Sequence, residues 1–284
     1  MRHLPTFTRA PLARGSLRVV LLSAALACAV SPTGRRQLIV LSDAEMDSMG
    51  LAAYDQIKKE TPRSQDASAT AYVRCVTGAI TRELGGRTDS QASQGWEVNL
   101  FEDDSANAFA LPGGKIGVHT GLLGVARNQD QLATVLGHEV GHVLARHGNE
   151  RVSQNFAVQG GLFTAGALLG VIADPGAGNH QLLMGALGLG AQVGVLLPYG
   201  RVQESEADEI GLDLMARAGF DPRQSVELWK NMLRAGGARP PEFLSTHPDP
   251  ENRIKRLYEL MPQALETQAR ARSAGRTPSC SRGS

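Results

Sequence analysis

Charge asymmetry is missing from this sequence. Its 284 residues carry 29 Lys and Arg against 28 Asp and Glu, and no basic run is interleaved with aromatic residues. A nucleic-acid partner, which demands concentrated positive charge, is therefore not expected. Long apolar runs are scarce too. The run from Val19 to Ala27 falls short of the roughly 20 residues that cross a bilayer. The Gly-, Ala- and Leu-rich stretch 160–198 is broken at Asp174-Pro175-Gly176 and interrupted by Gln181 and Gln192, so neither half clearly reaches span length. Three readings of it stay open: a buried helical hairpin, a mobile cover touching lipid or unfolded substrate, and a transmembrane hairpin.

Cysteine is limited to Cys28, Cys75 and Cys280. Arg2, Arg9, Arg14 and Arg18 before Val19–Ala27 make residues 1–27 an export signal, and Ala25-Leu26-Ala27 obeys the small-x-small cleavage rule. Cys28 directly after it matches the lipidated cysteine of a bacterial lipoprotein leader, although Ala25 stands where leucine is preferred. The expected location is the periplasm, on a lipid anchor in the outer membrane, with residues 28–41 as a tether. In that oxidising compartment Cys75 and Cys280 either form a disulfide or stay as two thiols.

What the chain has is 42% hydrophobic residues, enough for one sizeable core over residues 42–262. Ser42 or Asp43 caps a first helix through Met46, Leu51, Tyr54 and Ile57, and a second runs from about Gln65 to Glu83. Trp96–Phe101 alternates as a strand, and two more extended pieces flank Pro112-Gly113-Gly114. Together they form a small antiparallel sheet. Asn107, Ala108, Phe109, Ala110 and Leu111 are either its substrate-binding edge, adding an extended peptide as a further strand, or a purely structural hairpin. Residues 263–284, rich in Ala, Arg and Ser, are expected to fray unless Cys280 is tied down.

The chemistry concentrates in His138-Glu139-Val140-Gly141-His142. On a helix, i and i+4 share a face, so both imidazoles can hold one Zn²⁺ while Glu139 beside them takes a proton from an attacking water. Asn128 with Gln131 supplies an N-cap signature upstream, placing the motif inside a helix. A third ligand is expected in Glu204-Ser205-Glu206-Ala207-Asp208. Glu204 is the choice, with Asp208 one turn on to accept the second ring N–H of His138 and Glu206 pointing elsewhere. The alternative is a solvated, dipole-favoured helix start.

These segments, with Trp96-Glu97-Val98-Asn99, Asn107–Gly114 and Ser245-Thr246-His247-Pro248, resemble metallopeptidase family 48 over roughly Thr33 to Met261. The resemblance implies a gluzincin-type α+β fold, mainly α, with a small sheet beside the active-site helix. It further implies one Zn²⁺ per chain on His138, His142 and Glu204, Glu139 as base, and Asn107–Gly114 bordering the cleft. The chain lacks the clear membrane helices of some members and has few residues after Met261 for a helical repeat, so it is similar to compact exported lipoprotein members.

His247 either stabilises an oxyanion, occupies the open zinc position and holds the enzyme off, or braces its loop. Arg201 either reaches the oxyanion or pairs with a carboxylate. His147 is read as a helix-end dipole partner. His3, His119 and His180 receive no role. The expected protein is a zinc endopeptidase acting on unfolded or misassembled envelope proteins, the alternative a non-proteolytic zinc-binding chaperone or scaffold lipoprotein.

Overall fold

The computed structural model describes residues 28–85, 95–155, 200–235 and 242–282. The leader 1–27 and the glycine-rich stretch 160–198 lie outside them. The described chain opens with β1 (Cys28–Val30) paired antiparallel to β2 (Arg36–Leu38). Residues read as a tether thus form a hairpin, because its polar side chains reach the body: Arg35 pairs with Glu150 and Glu206, and Gln37 Nε2 donates to the Ala145 carbonyl at 2.6 Å.

Helix α1 (Asp43–Glu60) starts at Ser42, whose hydroxyl accepts the Glu45 N–H while Glu45 reaches back to the Ser42 N–H, a capping box. In α2 (Ala67–Arg82) the Asp66 carboxylate caps Ala69 N–H at 2.8 Å. A three-stranded sheet follows, of β3 (Glu97–Phe101), β4 (Ala108–Leu111) and β5 (Lys115–His119), in the order β3-β5-β4. The expected antiparallel pairing holds for β4 and β5, joined by a bend in which Gly113 and Gly114 take φ of 80° and 71°. β3 pairs parallel to β5, so the sheet is mixed. The cause is residues 102–107, which carry the chain past the place of β5 before β4 begins.

Strand alternation then sorts the side chains. Phe101, Phe109 and Leu111 join Tyr54 in a small core under α1. Ala108, Ala110, Ile116 and Val118 face the large core shared with the later helices. Asn107 is buried, and β4 lies at the sheet edge.

After the short α3 (Leu122–Val125), Asn128 Oδ1 caps the Gln131 N–H at 2.9 Å and starts α4 (Gln129–Leu144), buried from Gln131 to His142. Residues 147–155 are also helical. Then come α5 (Arg201–Arg217), α6 (Gln224–Ala235), α7 (Glu242–Thr246) and α8 (Pro250–Ser273). α8 passes the boundary expected at 262, with Leu257, Met261, Ala264 and Ala271 on its buried face. Cys280 beyond it is disulfide-bonded to Cys75, with Cα atoms 5.8 Å apart, so this end is packed rather than frayed. The class is as expected, mainly α with a small sheet. No helix among the described residues is long and apolar enough to cross a membrane.

The contact that positions everything else is α4 on α5. A Cβ on Gly137 would lie 2.8 Å from the Gly211 carbonyl oxygen, and one on Gly141 2.9 Å from that of Ala207. Only small residues permit so close an approach. It brings the turn holding His138 and His142 directly over the turn holding Glu204 and Asp208.

Candidate metal centre

From that crossing His138, His142 and Glu204 point into one buried space, each at most 3% exposed. His138 Nε2 and His142 Nε2 are 3.0 Å apart, His142 Nε2 and Glu204 Oε1 3.3 Å, and His138 Nε2 and Glu204 Oε2 3.5 Å. Ligands about 2.0–2.2 Å from a tetrahedral ion stand roughly 3.3–3.6 Å apart, so the three atoms trace one face of such a tetrahedron. Two ring nitrogens facing each other beside a carboxylate suit a cation between them better than a shared proton. Glu139, the next residue on α4, is buried, and its Oε1 takes no hydrogen bond among the described residues. A buried carboxylate oxygen that accepts no hydrogen bond, with only the ion-pair approach of His247 Nε2 at 3.3 Å among the described residues, beside converging ligand atoms, is what a metal and its substrate would explain, and the residues fit the group.

Burial would raise Glu204, but the facing His247 and Arg253 hold its carboxyl well below the usual range. Burial pushes Glu139 up, only partly offset by His247 and His138. For His138, burial and the Arg253 charge disfavour protonation, yet the carboxylates of Asp208 and Glu204 hold it up to about 9. His142 lies well below the ordinary histidine range through burial and the neighbouring His138.

His247, in the loop between α7 and α8, also enters. Its Nδ1 is 3.2 Å from His138 Nε2 and 3.1 Å from Glu204 Oε1, and its Nε2 is 3.3 Å from Glu139 Oε1. The left-handed conformation of Asp249 (φ 69°) turns the chain from this loop into α8. His138, His142, Glu204 and His247 form a four-residue group able to hold a metal ion. Asp208 Oδ1 lies 3.1 Å from His138 Nδ1. The Ala110 N–H donates to Glu139 Oε2 at 3.3 Å, so β4 touches the centre through its backbone.

Arg201 is not drawn in. Its side chain is 82% exposed and pairs with Asp249 at 3.3 Å, the second of the two roles open to it from the sequence.

The comparisons accord with this geometry. Residues 69–261 match the model of peptidase family M48. The chain belongs to that family. It is 40% identical over 197 residues to the mitochondrial metalloendopeptidase OMA1 of Schizosaccharomyces pombe, covering 69% of this chain and 54% of that one. It is 31% identical over 251 residues to the beta-barrel assembly-enhancing protease of Escherichia coli K12, covering 83% and 49%. A third relative is metalloendopeptidase OMA1 of Bos taurus, 32% identical over 84% of this chain and 46% of the relative. The chain spans about half the length of these curated relatives.

At this M48 centre the sequence reading misses Arg253 and misreads His147. Arg253 on α8 forks onto Asp208, with Nε 2.7 Å from Oδ2, and stacks 3.9 Å over the Trp229 ring. Its Nη1 is 2.8 Å from Glu204 Oε2, an ion pair outside hydrogen-bond geometry. A signal for it exists: Arg253, Leu257 and Met261 fall four apart, on the buried stripe of α8. His147, read as a dipole partner, is instead fully buried with Nδ1 2.9 Å from His142 Nδ1. Burial, opposed by Glu206, lowers its pKa. Glu206 does point away from the ligand cluster, as expected, but onto His147 Nε2 at 3.1 Å.

Proposed function

We propose that this M48 protein is a zinc-dependent endopeptidase that cuts unfolded or misassembled proteins of the bacterial cell envelope. The observation carrying this reading is the tetrahedral-edge spacing of His138, His142 and Glu204 with the unsatisfied oxygen of Glu139 beside them. Zinc bound by those three residues supplies Lewis acidity, polarising a peptide carbonyl and making a nearby water easier to deprotonate. Glu139, its carboxyl raised by burial, accepts the proton of the attacking water and delivers it to the departing amine nitrogen.

Asp208 accepts the Nδ1 proton of His138 and keeps its Nε2 lone pair aimed at the metal. The β4 edge aligns the substrate. Residues alternating away from β5, Ala108 and Ala110, turn their backbone groups to the side an extended peptide would join as a strand without demanding a sequence, displacing the Asn107 and Glu139 side-chain oxygens that now accept their N–H groups. Such backbone recognition suits unfolded chains. The envelope is favoured by the leader, by Cys28 as a lipid anchor and by the E. coli relative's name. The OMA1 relatives are mitochondrial, so location rests on the leader more than on relatedness.

His247 favours a second statement about the same site. Its Nδ1 stands among the ligand atoms and its Nε2 faces Glu139, so the arrangement is closed to substrate until that loop withdraws. Purified protein, Glu139→Gln and His247→Ala, each loaded with zinc, should be compared on casein. Chelator-sensitive cleavage by the parent, reduced about 10²–10⁴-fold in Glu139→Gln, is expected. Equal cleavage by parent and Glu139→Gln removes the mechanism. Zinc binding with no cleavage by any of the three favours the non-proteolytic chaperone or scaffold, whereas cleavage by His247→Ala alone identifies a closed enzyme.

A further inference from the structure

The two histidines of the motif are oriented differently. His138 presents Nδ1 directly to the Asp208 carboxylate. At His142 Nδ1 stands the ring of His147, its Nδ1 2.9 Å away. Ligation through Nε2 puts the one proton of a neutral His142 on Nδ1, so His147 must accept it with its own Nδ1. The His147 proton is then on Nε2, where Glu206 Oε2 accepts it at 3.1 Å. Each ring thus fixes the tautomer of the next, and the chain of donors ends on a carboxylate.

Glu206 is in turn gripped by the N-terminal hairpin. Arg35 Nε donates to Glu206 Oε2 at 2.8 Å and the Thr33 hydroxyl to Oε1 at 2.5 Å. The other two Arg35 nitrogens form a fork on Glu150, each at 2.6 Å. Arg35 lies outside residues 69–261, the part that matches the family. We infer that Glu206 and His147 form a positioning relay for His142, anchored by Arg35 of the hairpin, so that an element outside the matched region sets how tightly this chain holds its metal. His147, Glu206 and Arg35 are positioning residues, none touching substrate.

The inference rests on His142 being a metal ligand, and the test separates the two. Zinc affinity is measured by chelator competition, and Co²⁺ absorption reports ligand geometry, for the parent, His147→Leu, His147→Asn, Glu206→Gln and Arg35→Met. Melting curves of the metal-free proteins report folding. Orienting partners of metal-bound histidines typically change affinity 10–100-fold. His147→Leu is expected to lose about that much with a shifted Co²⁺ band. Asn, whose side-chain oxygen can replace the Nδ1 acceptor, should recover part of it, and Glu206→Gln and Arg35→Met should lose less than Leu.

If the parent binds no zinc, the ligand assignment itself fails. If the parent binds and all four variants bind as tightly with unchanged Co²⁺ spectra, the relay alone is overturned. Should His147→Leu not fold, the near-isosteric Glu206→Gln and the peripheral Arg35→Met decide the matter by the same affinity criterion.

Discussion

The two sides of the metal centre solve one problem with opposite materials. On the His138 side, Asp208 and Arg253 are each at most 4% exposed, with Arg253 stacked on Trp229 of the large core. On the His142 side, the support passes through His147 and Glu206 to Arg35, whose side chain is 23% exposed. A buried ion pair is costly to break because the surviving charge has no water to turn to, while a charge near the surface can be rehydrated. The first side is therefore rigid and intolerant, the second adjustable.

The largest expected effect tests that asymmetry. Asp208→Ala leaves the buried Arg253 with Glu204 as its remaining ion-pair partner and His138 without its carboxylate acceptor, which should cost about 3–5 kcal/mol of stability and most of the zinc affinity. Glu206→Ala leaves Arg35 its fork on Glu150 and water for its Nε, while the buried His147 loses its acceptor, so its cost should be smaller, about 1–3 kcal/mol. Denaturant unfolding of the two metal-free variants makes the comparison. Equal losses would mean that burial does not separate the two sides.

The sequence exposes the first side better than the second, for a physical reason. His138, His142, Glu204 and Asp208 lie on two helices at i and i+4, and a regular spacing carries a face that can be read. The helices are legible because Ser42 and Asn128 announce starts and apolar periodicity carries them. His147 lies just past the end of α4, where Arg146 turns left-handed at φ 54° and no periodicity extrapolates a side chain's direction. The hairpin was read as a tether because its polar residues look solvated until Glu150 and Glu206, over a hundred positions away, provide partners. The parallel pairing of β3 with β5 was likewise invisible, since alternation names a strand's faces and not its neighbour. Pro112-Gly113-Gly114 did announce the β4–β5 bend. The disulfide partners could be counted from the sequence, but not their distance.

Gly141→Ala should have a smaller effect that couples both sides. The added methyl would meet the Ala207 carbonyl at 2.9 Å, between Glu206 and Asp208 in the chain, and must push α4 from α5. Overpacking of this kind costs about 1–3 kcal/mol, against which the gain in helix propensity is under about 1 kcal/mol. Zinc affinity should fall along with the melting temperature, because the ligands come from both helices. A stabilised Gly141→Ala with intact affinity would show that the close crossing is not what sets the ligand spacing.

The smallest effect is a pH dependence on the adjustable side. Burial would raise the Glu150 carboxyl, but Arg35 and Gln203 hold it below the ordinary glutamate value of about 4.3. A carboxyl depressed in the folded state stabilises fully above its unfolded pKa, and the stabilisation drains away as pH falls through the lower folded value. In Glu150→Gln the charge is gone while the side chain keeps its shape, so the metal-free parent should exceed it in stability on the order of 1 kcal/mol near neutral pH, screened by the partial exposure of Arg35. That gap should begin to close below about pH 4.3 and shrink further with acid. Salt should narrow it at neutral pH as well, since Arg35 is open to solvent. The corresponding gap for Asp208→Asn, sealed from ions, should hardly respond to salt. Were the two gaps to respond to salt alike, the distinction between a sealed and an adjustable support would be lost.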